Sequence, residues 1–267
     1  MIVFDGKMAA EEILQEVKEK TKKLTVKPKL VSIVVGDHKG ALFYQNLKKK
    51  KAAEVGIEIE IKYYFEDTEF EDIKKDILKL NKDESVDGVM IQLPLPKDLR
   101  GNTKDLIQYI NKKKDVDGMR EDSDYICPVV KAVIKAFQTG LETLGLESRN
   151  LLVLVIGNTG FEGGKMYTAF KDMGYSVTGV NKKTKELRKK TKKADVVVSA
   201  TGVTSLIKPD MIRDGAILID VGSPKGDIEK AAYKKAGFVS PVPGGVGPMT
   251  IAYLMENIYE ASKLKKD

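Results

Sequence analysis

The 267-residue chain has one cysteine, one histidine and no tryptophan. A lone cysteine, Cys127, makes neither an internal disulfide nor a thiolate cage, so a reducing cytoplasm is the simplest setting. A lone histidine, His38, excludes a two-histidine zinc site, and no metal is expected. A Ser-His-Asp triad would have only this residue to use, in a polar loop. Long apolar runs are also missing: nothing approaches the roughly 18 residues of a spanning helix, so no membrane is expected. The opening "MIVFDGKMAA" has no basic stretch ahead of a long apolar one, so no signal peptide is expected.

What is present is charge and alternation. Charged residues make up 32% of the chain and apolar ones 42%, which suits a folded protein rather than a disordered one. The formal net charge is +7, which favours anionic partners: nucleic acid, phosphorylated cofactors or acidic substrates. No aromatic residue interleaves with the basic run between Lys182 and Lys193, so stacking on bases has no support and nucleic acid is not the expected partner.

The pattern alternates strand and helix. Residues 8–24 carry apolar positions at helical spacing, "LVSIVVG" (30–36) reads as a buried parallel strand, and 41–55 reads as a helix closed by Gly56. A half-wet strand follows at 57–65, then a capping-box pattern of Thr68 with Glu71, an apolar strand at 86–96 and a short helix at 103–111. A helix and polar linker occupy 128–146. A second unit begins near 150, with strand-like runs at 175–181, 194–202, 215–222 and 238–245. The expected class is α/β, with an N-terminal α/β domain and a Rossmann-type dinucleotide-binding domain. The expected borders are 1–127 with the last helix, 249–267, for the first domain, and 128–248 for the second.

Five places carry possible chemistry. "GNTGFEG" (157–163) follows a strand and opens a helix. Gly157, Gly160 and Gly163 suit a tight turn, close backbone approach and a helix N-terminus facing a pyrophosphate. At the end of the next strand, where an NAD site usually has an acid, stand Asn181, Lys182, Lys183 and Thr184, which favours the extra phosphate of NADP. Four lysines, Lys48 to Lys51, lie on the helix before Gly56. Residues 100° apart cannot share a face, and Lys48 lies one turn from Tyr44, so one lysine can face a cleft with its pKa lowered by nearby cations. A solvated run explains the same spacing. Gln92, ahead of Leu93 and Pro94, sits where α/β sheets bind ligands, and Asp115 and Asp117 in "DVDG" read equally as turn residues.

"YQNLK" (44–48), "VMIQLPLP" (89–96), "KDVDG" (114–118) and "SPVPGGVGPMTIAYLMEN" (240–257) resemble, in order along the whole chain, the bifunctional methylenetetrahydrofolate dehydrogenase/cyclohydrolase family. The resemblance implies two lobes, with the C-terminal helix returning to the first. It also implies NADP as the cofactor, tetrahydrofolate derivatives as substrates and a homodimer. Lys48, Tyr44, Gln92 and Asp117 match catalytic positions, with Asp117 on the pterin. Leu93, Pro94, Pro243, Gly244, Gly245 and Gly247 match folate-facing positions. Gly157, Asn158, Thr159, Gly163, Ser223 and Thr250 match cofactor-contacting ones, to which Lys182 and Lys183 are added from their place in the sequence. The alternative is a monofunctional dehydrogenase without the hydrolytic step. The chain departs from the family pattern at Asn158-Thr159, where Arg-Ser is usual, at Glu162-Gly163-Gly164-Lys165, where Val-Gly-x-Pro is usual, and at Ile126-Cys127-Pro128-Val129. The segment after Gly118 is short.

Overall fold

The computed structural model describes residues 1–36, 39–147 and 150–264, and in residues 39–43 the backbone only. His38 lies outside the described residues. Two compact units emerge, Met1–Ala10 with Val129–Thr250 and Glu11–Pro128 with Ile251 onward.

The second of these holds a three-stranded parallel sheet in the order β3 (Glu58–Tyr64), β2 (Lys29–Val35), β4 (Gly88–Ile91). Central β2 is buried along nearly all its length, as an apolar run between two neighbours must be. Edge strand β3 alternates at first, with Glu58 and Glu60 outside and Ile59 inside, and Lys29 crosses to Glu60 at 2.7 Å. Helices α1 (Gly6–Thr21), α2 (Lys39–Glu54), α3 (Phe70–Lys82) and α4 (Thr103–Tyr109) belong largely to this unit, and most of the last helix, from Ile251, joins them. Ile73 and Ile77, one turn apart on α3, are fully buried. The expected capping box does not form. Helix α3 starts at Phe70, one residue after Glu69, and no side chain caps it. Its other end is closed from a distance: Lys114 donates to the carbonyls of Leu80 (2.7 Å) and Asp83 (2.6 Å), a cation on the negative end of the helix dipole.

The other unit holds a six-stranded parallel sheet. The strands run β1 (Ile2–Val3), β9 (Phe238–Ser240), β8 (Ile217–Asp220), β7 (Val196–Ser199), β5 (Leu152–Ile156) and β6 (Ser176–Val180). Helices α5 (Pro128–Leu144), α6 (Phe161–Asp172) and α7 (Leu187–Lys193) complete it, and α8 (Val246–Lys263) starts in it. Leu154, Val197, Leu218 and Val239 belong to one apolar cluster with Ile207 and Ile228. Phe137 of α5, Phe170 of α6 and Tyr175 form a separate edge-on aromatic group, with centroids 5.1–6.1 Å apart. Ile2 and Val3 extend this sheet at its edge, pairing in parallel with Phe238 and Val239. Two residues paired along one edge are too short to announce themselves by alternation.

Candidate active site and dinucleotide loop

The lysine run on α2 separates as helical geometry requires. Lys48 is half-buried and reaches Gln92 Oε1 at 2.9 Å, with Met90 Sδ at 3.9 Å. Lys49 and Lys50 are exposed, and Lys51 pairs with Glu54 at 2.8 Å. Gln92 follows β4, its backbone N–H tied to Ile33 O and its side-chain amide donating to Leu93 O at 2.8 Å. That leaves its carbonyl oxygen turned to α2, where it accepts from Gln45 Nε2 (2.7 Å) as well as from Lys48. A neutral amide oxygen orients the ammonium without adding an opposite charge that would hold its proton. Tyr44, 40% exposed, stands one turn before Lys48. Leu93 is half-buried, and exposed Pro94 lines a cavity of about 180 Å³ with Val35, Gly36 and Arg100 among its walls.

Gln45 was not anticipated. It is fully buried and lies three residues before Lys48, so the same helical reasoning that paired Tyr44 with Lys48 would have found it.

The two aspartates of "DVDG" divide their work. Asp115 is buried and its carboxylate accepts the backbone N–H groups of Met119 (3.2 Å) and Arg120 (2.8 Å). Burial pushes its pKa up to about 6 against those hydrogen bonds. Asp115 therefore shapes the turn, and Asp117 remains half-buried on it. The turn is anchored to the sheet through Val89 N–H, which donates to Lys114 O at 2.7 Å. Gly118 is held at φ +61°, and a Cβ there would meet Cys127 N at 2.6 Å, so the trimmed segment crosses itself too closely for a side chain. Cys127 is buried at that crossing, a packing position.

In the dinucleotide unit the site is made of backbone. Gly157 ends β5 at φ +93°, and a Cβ on Gly163 would lie 2.2 Å from Gly157 O, so the first turn of α6 fits against the loop only as glycine. Gly160 caps α6 without a side chain, leaving the helix N-terminus to its own N–H groups. Thr159 is exposed beside them. Asn158 turns the other way: its amide lies over Gly179 of β6, 2.3 Å from where a Cβ would stand, and its Oδ1 is buried without a hydrogen-bond partner.

At the end of β6, Asn181 Oδ1 accepts Lys183 N–H and Asn181 N–H donates to Thr184 Oγ1, both at 3.0 Å, which fixes the turn carrying exposed Lys182 and Lys183. Two buried carboxylates, unanticipated, hold the neighbouring loops. Asp227 Oδ2 accepts from Ser199 Oγ, Thr201 N and Thr201 Oγ1 at 2.6–2.9 Å. Asp220 accepts the N–H groups of Gly222, Asp227 and Ile228 at 2.9–3.0 Å, and burial pushes its pKa up. Ser223 stands exposed on the loop they pin.

Past β9 the chain turns through exposed Pro243, Gly244 at φ +102° and buried Gly245 into α8. Gly6 N–H donates to Gly244 O at 2.9 Å. Gly247 is exposed in the first turn of α8, and the Thr250 hydroxyl bonds back to Val246 O at 3.2 Å. This loop and the cofactor loop are brought into one unit, while Lys48, Tyr44, Gln92 and Asp117 belong to the other.

Comparison with known proteins also divides the chain in two, with the border near Pro128. Residues 4–117 match the catalytic domain of tetrahydrofolate dehydrogenase/cyclohydrolase, and residues 128–266 match its NAD(P)-binding domain. The chain belongs to this family. It is 36% identical to the Bifunctional protein FolD of Lactobacillus helveticus over 283 aligned positions, covering 99% of each. Among solved structures it superposes on the bifunctional FolD methylenetetrahydrofolate dehydrogenase/cyclohydrolase of Campylobacter jejuni with TM-score 0.90, 32% identity and 99% coverage of both chains. The Trypanosoma brucei FolD, complexed with NADP cofactor and inhibitor, aligns with TM-score 0.89 at 27% identity, covering 98% of this chain and 97% of that one.

The residues present fit a dinucleotide. A cradle that a single Cβ would fill, a helix N-terminus left open to an anion, and cations where an acid would select NAD are the donor set that NADP requires.

Proposed function

We propose that this chain oxidises 5,10-methylenetetrahydrofolate to the 5,10-methenyl form with NADP, then hydrolyses that product to 10-formyltetrahydrofolate. The observation that carries the reading is the contact of Lys48 with Gln92 Oε1 at 2.9 Å, which singles out one lysine of four and aims it at a strand end. NADP, when bound, supplies the acceptor for the hydride. The α6 N-terminus, with Gly157 and Gly163, would hold its pyrophosphate, and Lys182 and Lys183 its 2′-phosphate.

The protein's part in the oxidation is positioning. Hydride leaves a carbon flanked by two nitrogens that share the resulting positive charge, so no strong base is needed. Asp117 accepts hydrogen bonds from the donor edge of the pterin, and Tyr44 lies alongside. Hydrolysis needs a proton carrier. Lys48 takes a proton from water as its oxygen adds to the methenyl carbon. It returns that proton to a ring nitrogen as the carbon–nitrogen bond breaks. The presence of Lys48 in this contact favours the bifunctional reading over a dehydrogenase alone.

We further propose a cytoplasmic homodimer. Among the described residues no helix is long and apolar enough to cross a membrane. Reduced cofactor formed from methylenetetrahydrofolate, followed by its absorbance beside the loss of methenyl absorbance, tests both activities at once. Absence of turnover with NADP would overturn the proposal, and light scattering at assay concentration tests the dimer.

A further inference from the structure

The loop that carries Asp117 is closed by a residue far away in sequence. Asn257, on α8, is 1% exposed. Its Nδ2 donates to Val116 O at 2.8 Å and to Ile126 O at 3.0 Å. Those carbonyls belong to the residues just before Asp117 and just before Cys127, so one amide joins the two flanks of the loop where it crosses itself. The crossing is also where Gly118 meets Cys127 too closely for any side chain. Inside the loop, Asp115 holds the N–H groups of Met119 and Arg120, and Ser123 Oγ donates to Asp115 O at 3.1 Å. Val116 is fully buried, so its carbonyl has no route to water and depends on a protein donor.

We infer that Asn257 is a positioning residue for folate: by tying Val116 O to Ile126 O it fixes where Asp117 presents its carboxylate. The inference rests on the reading of Asp117 as the pterin acceptor. A charged hydrogen bond to a planar ring edge is directional, and a loop free to open by an ångström loses it. Two neutral hydrogen bonds far from the reacting carbon would thereby set substrate affinity without touching substrate.

The test is a double-mutant cycle on folate affinity, measured by titration with 5,10-methenyltetrahydrofolate. Asn257→Ala is expected to weaken folate binding about tenfold. NADP affinity should not change, and kcat at saturating folate should fall less than the affinity. Amide exchange at Met119 and Arg120 is expected to accelerate. In an Asp117→Ala background the same substitution should cost little more, because the group it positions is gone. Asn257→Gln, which keeps an amide donor, should recover part of the affinity and serves where the alanine variant does not fold. Additive losses, or equal weakening of NADP and folate, would reduce Asn257 to a structural residue and overturn the inference. If Asp117→Ala leaves folate binding unchanged, the reading of Asp117 fails and this inference with it. If Asp117→Ala weakens binding and Asn257→Ala does not, only the inference fails.

Discussion

The loop after β4 and the loop after β5 leave equivalent ends of parallel strands, yet they are built from opposite materials. After β4, Gln92 presents a side-chain oxygen to Gln45 and Lys48, so the proposed site is made of named side chains. After β5, the working surface is backbone: Gly157, Gly160 and the first N–H groups of α6. The difference says which substitutions each site tolerates. A site made of side chains loses its chemistry with one residue. A site made of backbone keeps its geometry when a side chain changes, provided the glycines stay. That is why Asn158, in place of the family's usual arginine, turns inward over Gly179 without disturbing the turn.

The sharpest way to break this comparison is at Lys48. If the site after β4 is a side-chain site, Lys48→Met should lower methenyl hydrolysis by about two to four decades, the usual range for a positioned proton carrier. Lys49→Met, an exposed neighbour, should leave it unchanged. Thermal unfolding of both should stay near wild type. Equal losses at the two positions would mean that the charge of the run, and not one group, matters.

The pair of aspartates sharpens it next. Asp115 has its pKa raised by burial from 3.8 to about 6. Its native state therefore holds the proton more tightly than the unfolded chain. Its contribution is most favourable below about 4 and declines as pH rises through about 6, by up to about 3 kcal/mol. Asp115→Asn should remove that decline, read as the difference between wild-type and variant unfolding curves at pH 4 and pH 7. Asp76, held well below the usual carboxylate range by Lys62 and then Lys79, acts in the opposite sense and only at lower pH, so it does not mask the effect. A variant that keeps the wild-type slope would place the titration elsewhere. Asp117→Ala should instead spare stability and weaken folate binding by about one to two decades, the loss of a charged hydrogen bond. Titration with folate separates the two residues, and loss of stability without loss of affinity at Asp117 would return it to the turn.

How much of this was legible in the sequence follows the same divide. The backbone site was readable, because glycines at fixed spacing between strand and helix have few other uses. Parallel strands also declare themselves as apolar runs. The side-chain site was half readable: periodicity paired Tyr44 with Lys48, but only the family resemblance chose Lys48 over a solvated run. Gln45 was within reach of helical spacing, but Asp227 and Asn257 escaped because each acts on groups distant in sequence, and Asp220 because the backbone it holds, at Gly222, Asp227 and Ile228, carries no sequence pattern. A buried polar residue does not name its partner. The Thr68–Glu71 pattern failed for a related reason. A capping box is local, and α3 starts where Ile73 and Ile77 meet the core, at Phe70. The pairing of Ile2 and Val3 with Phe238 and Val239 was too short and too distant to be anticipated.

The smallest effect is expected where the backbone site meets side chains, at the turn after β6. Lys182 and Lys183 stand exposed on a turn fixed by Asn181 and Thr184. Farther along, Arg188 is paired with Asp210 at 2.8 Å and Lys189 with Glu186 at 3.3 Å, so part of the basic face already has carboxylate partners. With Asn158 turned inward, the proposed discrimination of the 2′-phosphate rests on the two turn lysines. An exposed lysine–phosphate contact contributes on the order of 1 kcal/mol, so Lys182→Ala with Lys183→Ala should raise the Michaelis constant for NADP by roughly fivefold to thirtyfold. The constant for NAD should barely move, since NAD has no phosphate there. Both should be measured at two salt concentrations, because a phosphate contact in water weakens with ionic strength and a glycine cradle does not. Equal rises for NADP and NAD would show that the lysines shape the turn and that the dinucleotide loop draws its selectivity from elsewhere.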